Sequence, residues 1–220
     1  MRRARYVAYG AGREYDAACM ASIYDLKPKF QALLRPVARR LAAAGATANQ
    51  VTVAAALLSI AAGVAIALWS DRSWPLLLLP VVLFVRMAFN AIDGMLAREH
   101  GMKSKLGAVL NELGDVVSDT GLYLPLAWVE GVSAPLVVII TILAAISEMT
   151  GVVGVQIGAS RRYDGPLGKS DRAFAFGLLG LLLGCGVPRG PWVTVFLAVM
   201  VALAALTIVN RARRALEEAA

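Results

Sequence analysis

Residues 81–119 read VVLFVRMAFNAIDGMLAREHGMKSKLGAVLNELGDVVSD, which places polar residues at helical spacing inside two otherwise apolar segments. Ionisable groups within a membrane-spanning helix are costly, and by default they mark a functional site. The polar positions run from Asn90 to Asp119 and are accompanied by Gly94, Gly107 and Arg98. Because all of these converge on one short stretch, we expect a functional site here rather than a structural polar network between helices.

The composition of the whole chain is that of a membrane protein. Of its 220 residues, 59% are hydrophobic, and the mean hydropathy is +0.66. A helix needs about 20 apolar residues to cross the hydrocarbon core of a bilayer, which is ~30 Å thick. By that length six spans are predicted, at residues 51–69, 74–97, 106–129, 132–158, 173–187 and 191–209. The expected fold is therefore an all-α integral membrane protein with six transmembrane helices.

The distribution of lysine and arginine predicts the orientation of these spans. The chain has 22 such residues and a net charge of +7. Nine precede the first span, four (counting Arg86) surround the connection between spans 2 and 3, four lie between spans 4 and 5, and three follow the last span. By the positive-inside rule both termini and the polar cluster are cytoplasmic, in a membrane expected to be a bacterial inner membrane. Nucleic-acid binding is not expected, because the chain contains no basic folded module.

The residues before the first span divide into two parts. Residues 1–19 show no pattern that could fold and are expected to be a disordered extension. Residues 20–46 place apolar side chains at helical spacing, on the side opposite the basic residues. The apolar side chains are those of Phe30, Leu33, Leu34, Val37 and Leu41. That pattern predicts an amphipathic juxtamembrane helix lying in the cytoplasmic headgroup layer. The six-helix domain then occupies residues 47–210, and residues 211–220 form a cytoplasmic tail.

The polar residues of spans 2 and 3 each share one helical face, since residues three and four apart lie on the same side of a helix. These residues are Asn90, Asp93, Gly94 and Ala97 on span 2, and Asn111, Asp115 and Asp119 on span 3. A turn at about residues 98–105 joins their cytoplasmic ends, so the two faces are expected to line one cavity open to the cytoplasm. Clustered oxygen ligands suit a hard cation such as Mg²⁺, with a phosphate completing its coordination.

Three further residues favour phosphoryl-transfer chemistry at this cavity. Arg98 carries a planar donor fork that matches a phosphate group. Gly94 and Gly107 lack side chains where a bulky ligand would approach the backbone. Metal ions that neutralise developing charge, together with a carboxylate that accepts a hydroxyl proton, are the usual components of such a site.

The same residues resemble a known family. Their spacing follows the signature of the CDP-alcohol phosphatidyltransferases, D-x2-D-G-x2-A-R-x8-G-x3-D-x3-D, with six of its eight fixed residues matching. The segment TANQVT at residues 47–52 resembles the family's T-P-N-x-I-T at the start of the first span. The stretch NAIDGMLARE looks most like the YnbA-like branch. The resemblance covers roughly residues 20–210 and implies an interfacial helix, six transmembrane helices and a homodimer.

The resemblance also implies a reaction and a role for each matching residue. Family members transfer a phosphatidyl group from CDP-diacylglycerol, or a similar CDP-linked lipid, to a hydroxyl of a polar acceptor and release CMP. By position the general base is Asp115, and the ligands of Mg²⁺ or Mn²⁺ are Asn90, Asp93, Asn111 and Asp115, with Asp119 supplying further charge. The nucleotide and diphosphate meet Gly94, Ala97, Arg98, Gly107, Asn49 and Thr52. An anionic acceptor meets Lys169 and Arg172, whereas Arg161 and Arg162 are expected mainly to satisfy the positive-inside rule.

Two departures from the signature keep alternatives open. Asn90 and Asn111 stand where the signature has aspartate, which lowers the formal charge of the site from about −4 to about −2. An amide oxygen still ligates Mg²⁺ but cannot act as a base. The alternatives are an enzyme with one metal or an altered substrate, a catalytically silent protein that binds CDP-lipid or nucleotide, and an ion-coupled transporter. The retained glycines and arginine favour the enzyme, and no pair of broken, symmetry-related helices supports the transporter.

Overall fold

The computed structural model describes residues 23–220, with side chains from residue 29 onward. The extension expected at residues 1–19 therefore lies outside the described residues. The described chain is helical throughout its regular structure, with no strand. Its helices are α1 (Ile23–Ala43), α2 (Ala48–Leu68), α3 (Leu78–Glu99), α4 (Lys105–Tyr123), α5 (Ala134–Gln156), α6 (Lys169–Gly184) and α7 (Pro191–Ala219). Short 3₁₀ helices at Trp74–Leu77 and Leu124–Trp128 precede α3 and follow α4.

A helix occupies each of the six predicted spans, from α2 to α7. Four are long and apolar enough to cross a membrane: α2, α3 with its preceding 3₁₀ helix, α5 and α7. Helix α4 carries the acidic residues of the predicted site, which make it more polar. Helix α6 has only 16 residues, fewer than the ~20 that a full crossing takes. The all-α fold is confirmed, and the number of six spans stays a prediction.

Helix α1 packs against α3 with only part of its apolar surface. Ala38 is buried in a small apolar cluster shared with α2 and α3. Arg35 donates two hydrogen bonds of 3.0 Å to the carboxylate of Glu99, which ties α1 to the end of α3. Leu33 and Val37 remain exposed. The predicted amphipathic helix is therefore present, with one side on the protein, and its position in the headgroup layer stays a prediction.

Helix α2 lies between α3 and α4 and contacts both. Its start is fixed by a capping box, in which Thr47 Oγ1 accepts from the Gln50 backbone N–H at 3.2 Å and Gln50 Oε1 accepts from the Thr47 N–H at 2.9 Å. Further along, Gly63 meets Gly121 of α4 so closely that a Cβ on Gly63 would lie 1.8 Å from the Gly121 carbonyl oxygen. Glycine at this crossing thus sets the distance between the two helices that flank the predicted site.

The end of α7 holds the loop between α5 and α6. Helix α7 continues without a break to Ala219, so residues 211–219 are its last turns; that this tail is cytoplasmic stays a prediction. Glu218 accepts hydrogen bonds of 3.0 Å from the backbone N–H and the hydroxyl of Ser160, and it also pairs with Arg162. These contacts give the polar end of α7 fixed partners, which explains why the helix persists beyond the apolar sequence.

Candidate active site

Asp93, on α3, is held in place by α2. The side chain is 8% exposed, and its Oδ2 accepts a hydrogen bond of 2.9 Å from Thr52 Oγ1. The Thr52 hydroxyl also lies 3.1 Å from the carbonyl oxygen of Ala48. The structure therefore brings the predicted Thr52 next to a predicted metal ligand, where it fixes the orientation of the carboxylate.

Asp115, on α4, shares the same site and has a cationic partner. Its carboxylate pairs with the ammonium of Lys169, the first residue of α6, and the two side chains are 20% and 30% exposed. Asp93 on α3 and Asp115 on α4 are carried by the two helices that pack against α2. A lysine accompanies Asp115 there, and a single cavity lined by both carboxylates stays a prediction.

The predicted metal ligands form a set of oxygen donors with little charge. Asn90 is half-buried on α3 and Asn111 is exposed on α4. With the two aspartates they offer two carboxylates and two carboxamide oxygens, all suited to a hard divalent cation. Within residues 29–220 no three Asp, Glu, His or Cys side chains form a metal-binding group. The donor set fits one divalent ion better than two, because two carboxylates balance the charge of only one.

The signature glycines make room for neighbouring side chains of the protein itself. A Cβ on Gly94 would lie 2.7 Å from Nη2 of Arg98, and a Cβ on Gly107 would lie 2.8 Å from Oδ1 of Asn49. The missing side chains therefore leave space for the Arg98 guanidinium beside Gly94 of α3 and for the Asn49 amide beside Gly107 of α4. Ala97, in contrast, is half-buried against the apolar cluster beside α1. Contact of these residues with a nucleotide stays a prediction.

Asp119 lies deeper than the other predicted ligands and is fully engaged. Its Oδ1 is 2.9 Å from Nη1 of Arg86, and its Oδ2 is 3.3 Å from Nη2 of Arg172. All three side chains are buried. Because both carboxylate oxygens are paired, Asp119 could ligate a metal only if one of these ion pairs opened. The arrangement favours a role as the counter-ion of two arginines.

The position of Arg86 corrects the count of loop charges. Sequence counting assigns Arg86 to the connection between spans 2 and 3, but it lies well inside α3 and is 4% exposed. Its partner Asp119 explains why a charge is tolerated there, since a buried charge needs a partner. Arg86 precedes Asn90 by four residues, so it belongs to the same helical face. That spacing was the signal in the sequence that could have identified it.

Arg172, a predicted contact of the acceptor, is instead at the centre of a buried network. It is 1% exposed, and its Nη2 lies 2.9 Å from Oε1 of Glu148. Glu148 also pairs with Arg211 at 3.4 Å and with Arg161 at 3.3 Å. We call Arg86, Asp119, Arg172, Glu148 and Arg211 the buried ion-pair network. Of the two predicted acceptor contacts, only Lys169 is partly exposed.

The loop between α5 and α6 is tied to α4 by a second group of ion pairs. Nε of Arg161 donates to Oε1 of Glu112 at 2.6 Å, and the guanidinium lies 4.5 Å from the ring centre of Tyr163. Arg162 pairs with Asp164 at 2.8 Å, and this hydrogen bond holds the pKa of the Asp164 carboxyl below its usual range. These two arginines, expected mainly to set orientation, therefore also fasten the loop that leads into α6.

Comparison with known proteins agrees with this architecture. A family model described as CDP-alcohol phosphatidyltransferase matches residues 46–217. The inner membrane protein YnbA of Escherichia coli K12 is 42% identical over 195 residues, which are 89% of this chain and 96% of YnbA. The phosphatidylinositol phosphate synthase of Corynebacterium glutamicum is 29% identical over 198 residues, which are 87% of each chain.

Solved structures show the same fold. The phosphatidylinositol phosphate synthase of Mycobacterium tuberculosis with CDP-DAG bound gives a TM-score of 0.70 at 22% identity, covering 84% of this chain and 92% of that enzyme. The same enzyme in complex with manganese and citrate gives a TM-score of 0.71 at 22% identity, covering 83% and 88%. The helical arrangement is therefore shared even where the sequences have diverged.

These findings decide the broad class of the protein. Four apolar helices of membrane-spanning length and an inner membrane relative identify it as an integral membrane protein. The predicted enzyme class is confirmed, and so is the expected type of cofactor, since the family uses divalent metals such as Mg²⁺ or Mn²⁺. The resemblance carried by the signature residues is confirmed over most of the chain: this protein belongs to the CDP-alcohol phosphatidyltransferase family.

Proposed function

We propose that this protein is a phosphatidyltransferase of phospholipid biosynthesis. It transfers the phosphatidyl group of CDP-diacylglycerol, or of a similar CDP-linked lipid, to a hydroxyl of a polar acceptor and releases CMP. The observation that carries the proposal is that the two retained signature aspartates, Asp93 and Asp115, lie on the two helices that pack against α2, within a chain of this family. Relatives that are phosphatidylinositol phosphate synthases, one of them solved with CDP-DAG bound, support the choice of donor.

Asp115 is the general base of the proposed reaction. The acceptor oxygen forms a bond to the β-phosphorus, the bond to the CMP oxygen breaks, and the hydroxyl proton passes to the Asp115 carboxylate. A base must be reachable by the proton that it accepts, and Asp115 is partly exposed whereas Asp119 is buried. Arg98, exposed at the end of α3, donates to the diphosphate with its planar guanidinium.

The signature residues also hold and orient the divalent cofactor, Mg²⁺ or Mn²⁺. Its ligands are the carboxylates of Asp93 and Asp115 and the amide oxygens of Asn90 and Asn111. When bound, a divalent ion supplies neutralisation of the charge that develops on the transferring and leaving groups. Thr52 keeps the Asp93 carboxylate in one orientation through its hydrogen bond of 2.9 Å, so that less ordering is needed when substrates arrive.

The proposed orientation places the site at the cytoplasmic face of six transmembrane helices, with both termini on the same side and α1 in the headgroup layer. Moving Arg86 from a loop into α3 leaves the charge asymmetry intact, because Arg72 and Arg189 are still the only basic residues of the opposite loops. The partners are the lipid bilayer, a CDP-linked lipid, a polar alcohol and a second copy of the chain in a homodimer.

Reconstituted protein tests the proposal directly. Vesicles with CDP-diacylglycerol and Mg²⁺ or Mn²⁺ are supplied with a panel of polyols and polyol phosphates, and CMP release is measured. The D115N variant is the matched control, since it keeps the shape of the site and removes both the base and one carboxylate ligand of the metal. Release of CMP by the wild type with at least one acceptor, and its loss in D115N, is the expected result. Binding of the CDP-lipid without CMP release for any acceptor would refute an enzymatic function.

The second candidate is a catalytically silent protein that binds CDP-lipid, and the asparagines at 90 and 111 favour it. The double variant N90D/N111D separates the two. Tighter metal binding with lower turnover indicates a site adapted to low charge, whereas gained activity from a silent wild type indicates a degraded one. The ion-coupled transporter has less support, because Glu148, the acidic residue of α5 that could extend an ion pathway, is paired with three arginines.

A further inference from the structure

We infer that the ammonium of Lys169 is a built-in cation of the active site, which balances the charge of Asp115 and limits the site to a single divalent ion. The inference deepens the proposed function and rests on its metal site. It assigns Lys169 to the chemistry of the metal ligands rather than to recognition of the acceptor. Lys169 acts through Asp115 and is therefore a positioning residue.

The first support is the position of Lys169, which the fold fixes. Lys169 is the first residue of α6 and pairs with Asp115 on α4. The start of α6 is capped by a hydrogen bond of 2.9 Å from the Gly168 N–H to Oδ2 of Asp171. Three residues after Lys169, Arg172 is locked between two buried carboxylates. The lysine therefore projects from an anchored helix start, unlike a solvated lysine in a flexible loop.

The second support is the charge of the site. Four aspartates at the signature positions would carry enough negative charge to balance two divalent ions. Asn90 and Asn111 remove two of those charges, and the ammonium of Lys169 offsets one more. The net charge of the donor set is then about −1, which attracts one divalent cation and opposes a second. The asparagines and the lysine thus both lower the negative charge of the donor set.

The third support is that Lys169 pairs with a retained signature carboxylate, whereas Arg86, Arg161 and Arg172 pair with other carboxylates and Arg98 is assigned to the diphosphate. Arg172 and Arg86 form ion pairs with Asp119, and Arg161 forms ion pairs with Glu112 and Glu148. Within residues 29–220, the ion pair found for Asp115 is with Lys169. An ammonium suits the position because it is a compact point charge on a flexible stem, so it can move aside as ligands bind.

Metal binding without substrate tests the inference. Mn²⁺ is titrated into detergent-solubilised full-length protein, and free Mn²⁺ is followed by electron paramagnetic resonance. The wild type is expected to bind one ion per chain. Lys169→Met is expected to tighten Mn²⁺ binding by at least about tenfold, because it removes a unit positive charge beside a ligand carboxylate. Lys169→Arg keeps the charge and is expected to bind Mn²⁺ as the wild type does.

Two further variants complete the design. Lys103→Met removes the same charge from the exposed connection between α3 and α4 and should leave Mn²⁺ affinity unchanged. Asn90→Asp and Asn111→Asp combined with Lys169→Met should yield a second Mn²⁺ per chain. Elution as a single species on size-exclusion chromatography confirms that each variant is folded.

Three results would overturn the inference. They are two ions in the wild type, unchanged affinity in Lys169→Met, and equal tightening in Lys169→Met and Lys169→Arg. A raised KM for the acceptor with unchanged Mn²⁺ affinity would instead assign Lys169 to the acceptor. The proposed function fails separately, since absent CMP release together with Lys169-dependent Mn²⁺ binding counts against the transfer reaction alone.

Discussion

Replacing Gly63 by alanine should force α2 and α4 apart and damage the active site that they flank. The added Cβ would lie 1.8 Å from the Gly121 carbonyl oxygen and 3.1 Å from Cγ of Pro125. Close carbon–oxygen contacts in proteins are about 3.3 Å or longer. The blocking atom belongs to the backbone, so a rotamer change cannot relieve the clash. The two helices must therefore separate by roughly 1.5 Å at this point.

Two opposing terms set the cost in stability. Overpacking a closely packed interior costs about 1–3 kcal/mol, while glycine to alanine within a helix gains about 1 kcal/mol in helix propensity. The net loss is thus up to about 2 kcal/mol. The effect on turnover is expected to be larger, because Thr52 on α2 orients Asp93 while Asp115 lies on α4. Displacing such groups by about 1 Å can cost on the order of 100-fold in rate.

A matched variant makes this test decisive. Gly177→Ala is also a glycine to alanine change within a helix, but its added Cβ would make ordinary contacts of 3.6 Å with Leu83 and 3.8 Å with Pro80. Melting temperature in detergent and CMP release are measured for both variants. Gly177→Ala should match or exceed the stability of the wild type, and Gly63→Ala should lose both stability and activity. If Gly63→Ala has the same melting temperature as Gly177→Ala and keeps full turnover, the contact between Gly63 and Gly121 does not set the geometry of the site.

Three other changes test the site and the buried ion-pair network. Asp115→Asn should lower CMP release by at least about 10²-fold while CDP-lipid binding persists, whereas Asp93→Asn should weaken Mn²⁺ and CDP-lipid binding together; wild-type turnover in Asp115→Asn would exclude it as the base. Asp119→Asn should lower the free energy of unfolding by about 3–5 kcal/mol, because it leaves Arg86 without its only carboxylate partner within residues 29–220. Arg86→Met should cost less, because Asp119 then still has Arg172 as a partner. Equal melting temperatures of the two variants would contradict this order. Chelation with EDTA should abolish CMP release, and added Mg²⁺ or Mn²⁺ should restore it, so activity that survives chelation would argue against the metal site.

Local patterns predict the helices of this protein well and their membrane-spanning role less completely. Apolar runs identify every helix from α2 to α7, because hydrophobic periodicity is a local property of the chain. They are less informative for α4, where the residues of the site lower the hydropathy. Length is the difficulty for α6, whose 16 residues start at a polar, capped turn. Apolar runs also do not indicate that α7 continues as a helix beyond residue 210, where Glu218 contacts Ser160 of a distant loop.

The candidate site shows the same division between local and distant information. Signature spacing predicts that Asp93 and Asp115 lie on facing sides of α3 and α4. It does not distinguish them from Asp119, which has the same helical spacing but lies among arginines from α3 and α6. Assigning basic residues to loops likewise places Arg86 at the connection after span 2, although it lies within the predicted span at residues 74–97. The pairing of these residues depends on the depth of each helix in the bundle, which no window of sequence contains.

The all-α membrane fold, the family signature and the alignment of the signature residues on one face of each of two helices can all be read from the amino-acid sequence. Local patterns are enough for these conclusions, because they depend only on residues a few positions apart. Which carboxylates remain accessible and which are neutralised depends on the packing of the helices. The physical reason is that ion pairs such as Arg172 with Asp119, or Lys169 with Asp115, join residues more than fifty positions apart. They form only once close packing, as at Gly63 and Gly121, has fixed the distances between helices.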